Sequence, residues 1–275
     1  MIQLREVSFA YKRNTPVLDK LSLQMTPGHI YGLLGKNGEG KTTLLHVLCG
    51  LLFPQQGDCH VMNYVPKERA VGFLQQIYLL PEEVSLPDVT VVEYGRMYAP
   101  FFPNFRKDIW DTCIESFEIE TNKRMSKMSL GQRKKAAITL ALAAHTPLLL
   151  MDEPTNGLDI PSKAVFRRLV ASSMNEEQTV IISTHQVRDL ESLIDSVLIM
   201  ERRRILLNSP LDEVSKRLFF RPVTADDNVF YTEQTPMGTI GVGENVLNEE
   251  TPVSLELLFQ AVTQQPKEIN RIFTR

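Results

Sequence analysis

The segment Gly35-Lys36-Asn37-Gly38-Glu39-Gly40-Lys41-Thr42-Thr43 constrains this chain more than any other. An apolar run, Ile30-Tyr31-Gly32-Leu33-Leu34, precedes it, and Leu44-Leu45-His46-Val47-Leu48 follows. That order reads strand, glycine loop, helix, and the loop fits the phosphate-binding pattern G-x-x-x-x-G-K-[ST]. Each residue type has a physical reason. Glycines let the backbone curl so that successive N–H groups point inward at phosphate oxygens. The following helix turns its positive N-terminal end to the same anion. Lys41 is placed to reach the β- and γ-phosphates, and the Thr42 hydroxyl to ligate Mg²⁺.

Around this segment the chain reads as strands alternating with helices. Residues 2–34 carry strand patterns, with Pro27-Gly28 as a turn before the buried strand at 30–34. Gly57 to Met62 reads as a short strand. Residues 93–120 look helical, split by Pro100 and Pro103, and Leu130 to Ala144 is a long Ala- and Leu-rich helix pattern. Three short apolar runs, at 148–151, 180–183 and 197–200, suit parallel strands buried on both faces. Helical segments at 162–174 and 187–194 lie between them. The alternation predicts an α/β domain with a mostly parallel sheet. After Arg221 the character changes. Residues 221–275 hold 8 acidic and 4 basic residues and many turn formers, with a helix pattern from Ser254 to Gln264. The expected division is a main domain over 1–220 and a small C-terminal extension over 221–275.

Composition narrows the function classes. Of 275 residues 30 are basic and 33 acidic, a net charge of −3 that offers nucleic acid no electrostatic footprint. Cys49, Cys59 and Cys113 are widely spaced with no C-x-x-C, so neither a disulfide framework nor a zinc site is expected. No apolar run reaches 18 residues; the nearest, Ala136 to Met151, is broken by His145 and Pro147. A membrane role is therefore expected to come through a separate chain.

A second constellation is Leu148-Leu149-Leu150-Met151-Asp152-Glu153-Pro154. A buried strand ends in two adjacent carboxylates, and strand alternation would send them to opposite sides. Asp152 can then serve Mg²⁺ while Glu153 faces a water that attacks the γ-phosphate. The third is Lys127-Met128-Ser129-Leu130-Gly131-Gln132-Arg133. Ser129 and the Gly131 N–H stand at a helix start, which is both an anion site and an ordinary cap.

Taken in order, these segments resemble the ATP-binding cassette (ABC) ATPases over about residues 2–220. That family carries a Leu-Ser-Gly-Gly-Gln signature ahead of its carboxylate strand. Here Met-Ser-Leu-Gly-Gln keeps Ser129, Gly131 and Gln132, with Leu130 in place of the first glycine. The resemblance implies a P-loop NTPase core, an N-terminal antiparallel β subdomain, a helical subdomain at about 77–135, and a small α+β appendage. It implies that Tyr11 stacks on adenine, although an aromatic ending a strand also suits packing. Gln76 looks like the glutamine that touches Mg²⁺ and the attacking water, with Gln75 beside it as the alternative. Asp159, in Asn156-Gly157-Leu158-Asp159, resembles the acid of the loop that crosses between protomers, and would equally cap a helix ahead of Pro161. His185 resembles the switch histidine.

The implied activity is ATP hydrolysis with Mg²⁺, carried by two cassettes packed head to tail. Lys41, Thr42, Gln76, Asp152, Glu153 and His185 serve one nucleotide, and Ser129, Gly131 and Gln132 cover the other. The implied partners are a second cassette and a transmembrane permease, with no nucleic acid. The protein would then be cytoplasmic, peripheral on the inner face of the cell membrane, and exporter-like. Tyr94, Tyr98, Phe101, Phe102 and Phe105 are candidates for the permease groove, or else pack inside the helical subdomain. A small P-loop kinase or GTPase would fit the loop but neither the signature nor His185, and a further class is a soluble cassette ATPase of DNA maintenance or translation. The single cassette, the lack of heptads and the acidic balance speak against it.

Overall fold

A computed structural model describes residues 1–13, 15–224, 227–236 and 238–273. Strands β1 (Ile2–Lys12) and β2 (Thr15–Met25) pair antiparallel, and β4 (Gln56–Val61) adds to the other edge of β1. Between them run β3 (Ile30–Leu34) and α1 (Lys41–Leu48). A short helix α2 (Val71–Leu74) leads into β5 (Ile77–Leu80). Three helices follow: α3 (Val91–Tyr98), α4 (Lys107–Ser116) and α5 (Leu130–Ala143). Then come β6 (Leu148–Asp152), α6 (Ile160–Ser173), β7 (Thr179–Thr184), β8 (Ser196–Glu201) and β9 (Arg204–Pro210). The chain ends with α7 (Leu211–Arg217), β10 (Leu218–Pro222), β11 (Val229–Thr235), β12 (Gly238–Glu244), α8 (Leu255–Gln264) and α9 (Pro266–Phe273).

The central sheet has the order β5-β6-β7-β3-β8-β9, parallel except for β9. The expected mostly parallel α/β sheet is therefore present, with a separate antiparallel sheet built from the N-terminal strands. Period-two alternation explains why the central strands are apolar throughout. In β6, Leu148 and Leu150 join the cluster shared with α1 and the N-terminal sheet, including Leu44, Leu45 and Ile2. Leu149 and Met151 point the other way, into the cluster that holds Phe166, Val170 and Ile182. Such side chains contribute roughly 1.5–3 kcal/mol each when fully buried. A third, smaller cluster of Val91, Tyr94, Trp110, Met125 and Leu140 packs α3, α4 and α5 together.

Helix starts follow their capping chemistry. Thr90 with Glu93 caps α3, and Ser129 with Gln132 caps α5, each as a reciprocal box. Asp159 caps α6 through the Ser162 N–H at 2.8 Å.

Some expectations need correction. The segment 187–194 is not a helix; it makes one 3₁₀ turn at Val187–Asp189. Residues 77–80, at the head of the expected helical subdomain, are the edge strand of the central sheet next to β6. Helix α8 does not close the chain, since α9 follows. The C-terminal segment also shares the core of the main sheet: Leu255, Leu258, Val262 and Ile269 belong to the same cluster as Val197 and Ile199.

Register places the functional loops. Leu80 lies opposite Met151, Asp152 opposite Ser183, and Leu34 opposite Thr184. The chain thus leaves β5, β6, β7 and β3 at one common edge, where a parallel sheet of this kind collects its ligand loops.

Candidate nucleotide site

The loop between β3 and α1 is shaped by its glycines. Gly40 has φ +107°, a left-handed conformation that suits glycine. A Cβ on Gly35 would stand 2.6 Å from the Met200 carbonyl oxygen. The loop therefore lies close against the chain at the end of β8. Lys41 begins α1 and folds back over the loop. Its Nζ donates to the carbonyls of Gly35 at 2.8 Å and Lys36 at 3.2 Å, and stands 3.7 Å from Glu153 Oε1. Lys41 is only 6% exposed. A buried cation held by carbonyls and one carboxylate is ready to exchange them for phosphate oxygens.

Behind it lie the carboxylates. Asp152 is buried; its Oδ2 accepts from the Thr42 hydroxyl at 2.6 Å and its Oδ1 from the Ser183 hydroxyl. Glu153 follows the strand with φ +43°, and its N–H is held by the Ser183 carbonyl at 3.1 Å. Backbone turning, not strand alternation alone, separates the two acids. Three donors orient the Glu153 carboxylate. The His185 N–H at 3.0 Å and His185 Nδ1 at 2.8 Å reach Oε1, and the Thr184 hydroxyl at 3.1 Å reaches Oε2. Opposite an ionised carboxylate, which has no proton to give, Nδ1 is the protonated ring nitrogen.

A cleft of about 350 Å³ joins these groups. Tyr11, Asn37, Gly38, Lys41, Thr42, Thr43, Asp152 and Glu153 line it together with Val17, Gly40 and Glu82. The structure therefore brings together most of what the sequence pointed to. Tyr11 is 61% exposed at the rim, its hydroxyl 3.2 Å from Thr43 Oγ1, so it is free to offer a ring face. Gly35, Lys36 and Asn37 also border a larger neighbouring cleft of about 770 Å³, with His185 and α8 on its far side.

Gln76 is not at the site. It precedes β5, and its carbonyl accepts from the Leu148 N–H at the start of β6. Its side chain donates to the Gly72 carbonyl at 2.9 Å and the Tyr64 hydroxyl at 3.2 Å. Four strand residues, about 13 Å, separate it from the edge that carries Asp152. Gln75 stands before the same strand end and is exposed. The residue that the structure puts at the site from this strand is Glu82. The signal was available, because Glu82 follows the apolar run Ile77-Tyr78-Leu79-Leu80 as directly as Glu153 follows its own. Ser183, Thr184 and Lys134 were also missed. Ser183 and Thr184 carry no motif of their own, and Lys134 looks like one more charge on a helix.

The remaining predicted residues lie elsewhere on the molecule. Ser129, Gly131 and Gln132 are absent from the lining of the Lys41 cleft. Asp159 is exposed, and its hydrogen bonds to Ser162 hold its carboxyl below the usual range. Of the five aromatics, Tyr94 is buried, and Tyr98 and Phe105 pack on the helical cluster. Phe102 lies against Tyr78, and only Phe101 is widely exposed, at 64%.

The family model described as ABC transporter matches residues 18–156, slightly over half of the chain. The chain belongs to the ABC transporter ATP-binding family. It is 33% identical over 206 residues to the bacitracin transport ATP-binding protein BcrA of Bacillus licheniformis, covering 73% of this chain and 67% of that one. It is 31% identical over 224 residues to the ABC transporter ATP-binding protein NatA of Bacillus subtilis, covering 78% and 91%. In fold it resembles the ATP-binding subunit of an ABC transporter, with a TM-score of 0.70 at 22% identity over 78% of this chain and 91% of that chain. It also resembles a cassette solved as a dimer in a post-hydrolysis state with ADP and Pi. That match has a TM-score of 0.68 at 21% identity, over 77% of this chain and 99% of the other. Members of this family are nucleotide-binding ATPases coupled to transport. They dimerise as cassettes and work with transmembrane partners. Among the described residues no helix is long and apolar enough to cross a membrane.

Proposed function

We propose that this chain is the ATP-hydrolysing subunit of an exporter, acting as one of two cassettes beneath a separate permease. Residues 1–220 serve as the cassette and 221–275 as an extension. The buried Glu153 carboxylate carries the reading. Three donors fix it 3.7 Å from the lysine of the phosphate loop. That is the placement a water-activating base needs beside a terminal phosphate.

In this reading Tyr11 stacks on adenine and the loop N–H groups of 35–43 receive the phosphates. Lys41 gives up its carbonyls and Glu153 to reach the β- and γ-phosphates. Glu153, no longer paired with that lysine, accepts the proton of the attacking water. His185 holds Glu153 in register with the γ-phosphate. The donors present suit a hard divalent cation: the Thr42 hydroxyl, the buried Asp152 carboxylate and, across the same cleft, Glu82. These would hold Mg²⁺, which neutralises charge on the β- and γ-phosphates when bound. Ser129, Gly131 and Gln132, absent from the lining of this cleft, cap the nucleotide of a second cassette, with Asp159 in the crossing loop.

Export rests on relatives named for it, such as the Nod factor export ATP-binding protein I of Cupriavidus metallidurans, 29% identical over 210 residues. The test is purification of the tagged chain from detergent-solubilised membranes. A stoichiometric polytopic membrane protein is expected, and its presence should stimulate ATP hydrolysis. A chain recovered only from the soluble fraction, with no membrane protein attached, would contradict the transport role.

A further inference from the structure

Lys134 is a buried charge that the hydrolytic scheme does not use. It is 2% exposed, on the inward face of α5, in a family of contacts unusual for a lysine. Its Nζ donates to the Glu82 carbonyl at 2.7 Å and the Pro81 carbonyl at 3.4 Å. Both carbonyls belong to the loop that leaves β5 at the nucleotide edge. Burial works against its positive charge, while the nearby charges of Glu82, Asp152 and Glu153 support it. A methionine would fill the same space without the cost of desolvating an ammonium. The value of the charge therefore lies in where it holds the loop.

Helix α5 begins at the Ser129 cap, five residues before Lys134, about 7.5 Å along the axis. The same rigid helix thus carries the cap at one end and grips the Glu82 loop one and a half turns later. Hydrogen bonds continue from there. Glu82 Oε1 accepts from Asn156 Nδ2 at 2.9 Å, and Asn156 Oδ1 accepts from Gln186 Nε2 at 3.3 Å. Gln186 is the neighbour of His185. The loops after β5, β6 and β7 are therefore tied in one line, and Lys134 joins that line to the signature helix.

We infer that Lys134 is a positioning residue that couples the two nucleotide sites of a dimer. A nucleotide of one copy, seated on the Ser129 cap of the other, shifts α5, and Lys134 carries that shift to the Glu82 loop of the copy that owns it. This rests on the head-to-tail reading above. It goes beyond that reading by naming the link through which occupancy at one site sets the geometry at the other. Coupling of this kind is a difference in free energy between two arrangements and must be measured, not read from proximity.

The experiment uses the full chain with Lys134→Met and Lys134→Arg. ATPase rate is recorded against MgATP concentration, and MgATP affinity is measured separately by equilibrium titration. The wild type is expected to be cooperative. Lys134→Met should lower the Hill coefficient to roughly 1 and kcat by about 2–30-fold, while single-site MgATP affinity stays within about twofold. Lys134→Arg, which keeps a cation and donors, should restore part of the cooperativity. Should Lys134→Met fail to fold, Lys134→Gln, which keeps one donor group, serves with the same expected direction. Unchanged cooperativity and kcat in a folded Lys134→Met protein would overturn the inference while leaving the dimer intact. A wild type with no cooperativity and no ATP-dependent dimer would remove the head-to-tail reading itself, and this inference with it.

Discussion

Replacing Glu153 with glutamine separates the chemistry from the binding. The carboxylate accepts from His185 through one oxygen and from Thr184 through the other. A glutamine can keep this pattern. Its carbonyl takes the two His185 donors, and its NH₂ faces the Thr184 hydroxyl, which can accept. Shape and hydrogen bonding survive, so only the charge is lost. Loss of a positioned base lowers the rate by about 10²–10⁴-fold, equal to about 3–5 kcal/mol of barrier. Binding should move the other way. Glu153 and the Lys41 ammonium are 3.7 Å apart and both buried, an attraction of about 4 kcal/mol at an effective dielectric near 20. The triphosphate must compete for that lysine. Without the carboxylate the lysine is freer, so MgATP affinity should rise by about 3–10-fold. The nucleotide-free protein should lose about 1–3 kcal/mol of stability, since a buried cation loses a partner. Phosphate release, isothermal titration with MgATP and thermal melting measure the three quantities. A folded variant that keeps kcat within about threefold, or binds MgATP more than about tenfold weaker, would refute the assignment.

Other consequences are equally direct. Gln76→Ala should leave hydrolysis within about twofold of wild type, with a stability loss of about 1 kcal/mol from the lost Gly72 and Tyr64 contacts. Glu82→Ala should lower kcat by about tenfold or more and weaken Mn²⁺ binding in the presence of nucleotide, read by electron paramagnetic resonance. Tyr11→Ala should weaken ATP by about 1–2 kcal/mol with kcat nearly unchanged, because stacking acts equally on ground and transition states. Burial pushes the Cys49 thiol up to about 11 and those of Cys59 and Cys113 up to about 12. A raised value keeps each thiol protonated until pH climbs towards it. At pH 8 only about one Cys49 in a thousand is thiolate. A disulfide reagent should therefore label none of the three quickly in the native protein at pH 8 and all of them after unfolding.

Contiguous segments were legible, and features formed by register were not. The phosphate loop is nine consecutive residues whose glycines, lysine and hydroxyls each answer a local need, so the string alone shows it. Glu153 was readable because a run of four apolar residues announces a buried strand and the acids end it. Gln76 was misplaced because the sequence does not show where β5 begins. The two glutamines stand before Ile77 instead of after Leu80, and a strand of four residues turns that small offset into the opposite edge of the sheet. Glu82 follows the same logic as Glu153, but Pro81 and a second acid, Glu83, make it look like an exposed turn. The segment 187–194 has helical spacing, yet after a single 3₁₀ turn its Leu190, Leu193 and Ile194 are drawn into the main core. Lys134 could not be read as special, since burial of a lysine depends on what another loop offers it.

The central claim is that the cradle of residues 35–43 holds a nucleoside triphosphate through Lys41. Titrating MgATP into the wild-type protein and into Lys41→Ala, with melting curves to confirm that both are folded, tests it most directly. The wild type is expected to bind at micromolar to submillimolar concentration, and removal of the lysine should weaken binding by about 30-fold or more, as befits a buried charge-assisted contact. Equal affinity in the two proteins, or no binding by either, would contradict the account.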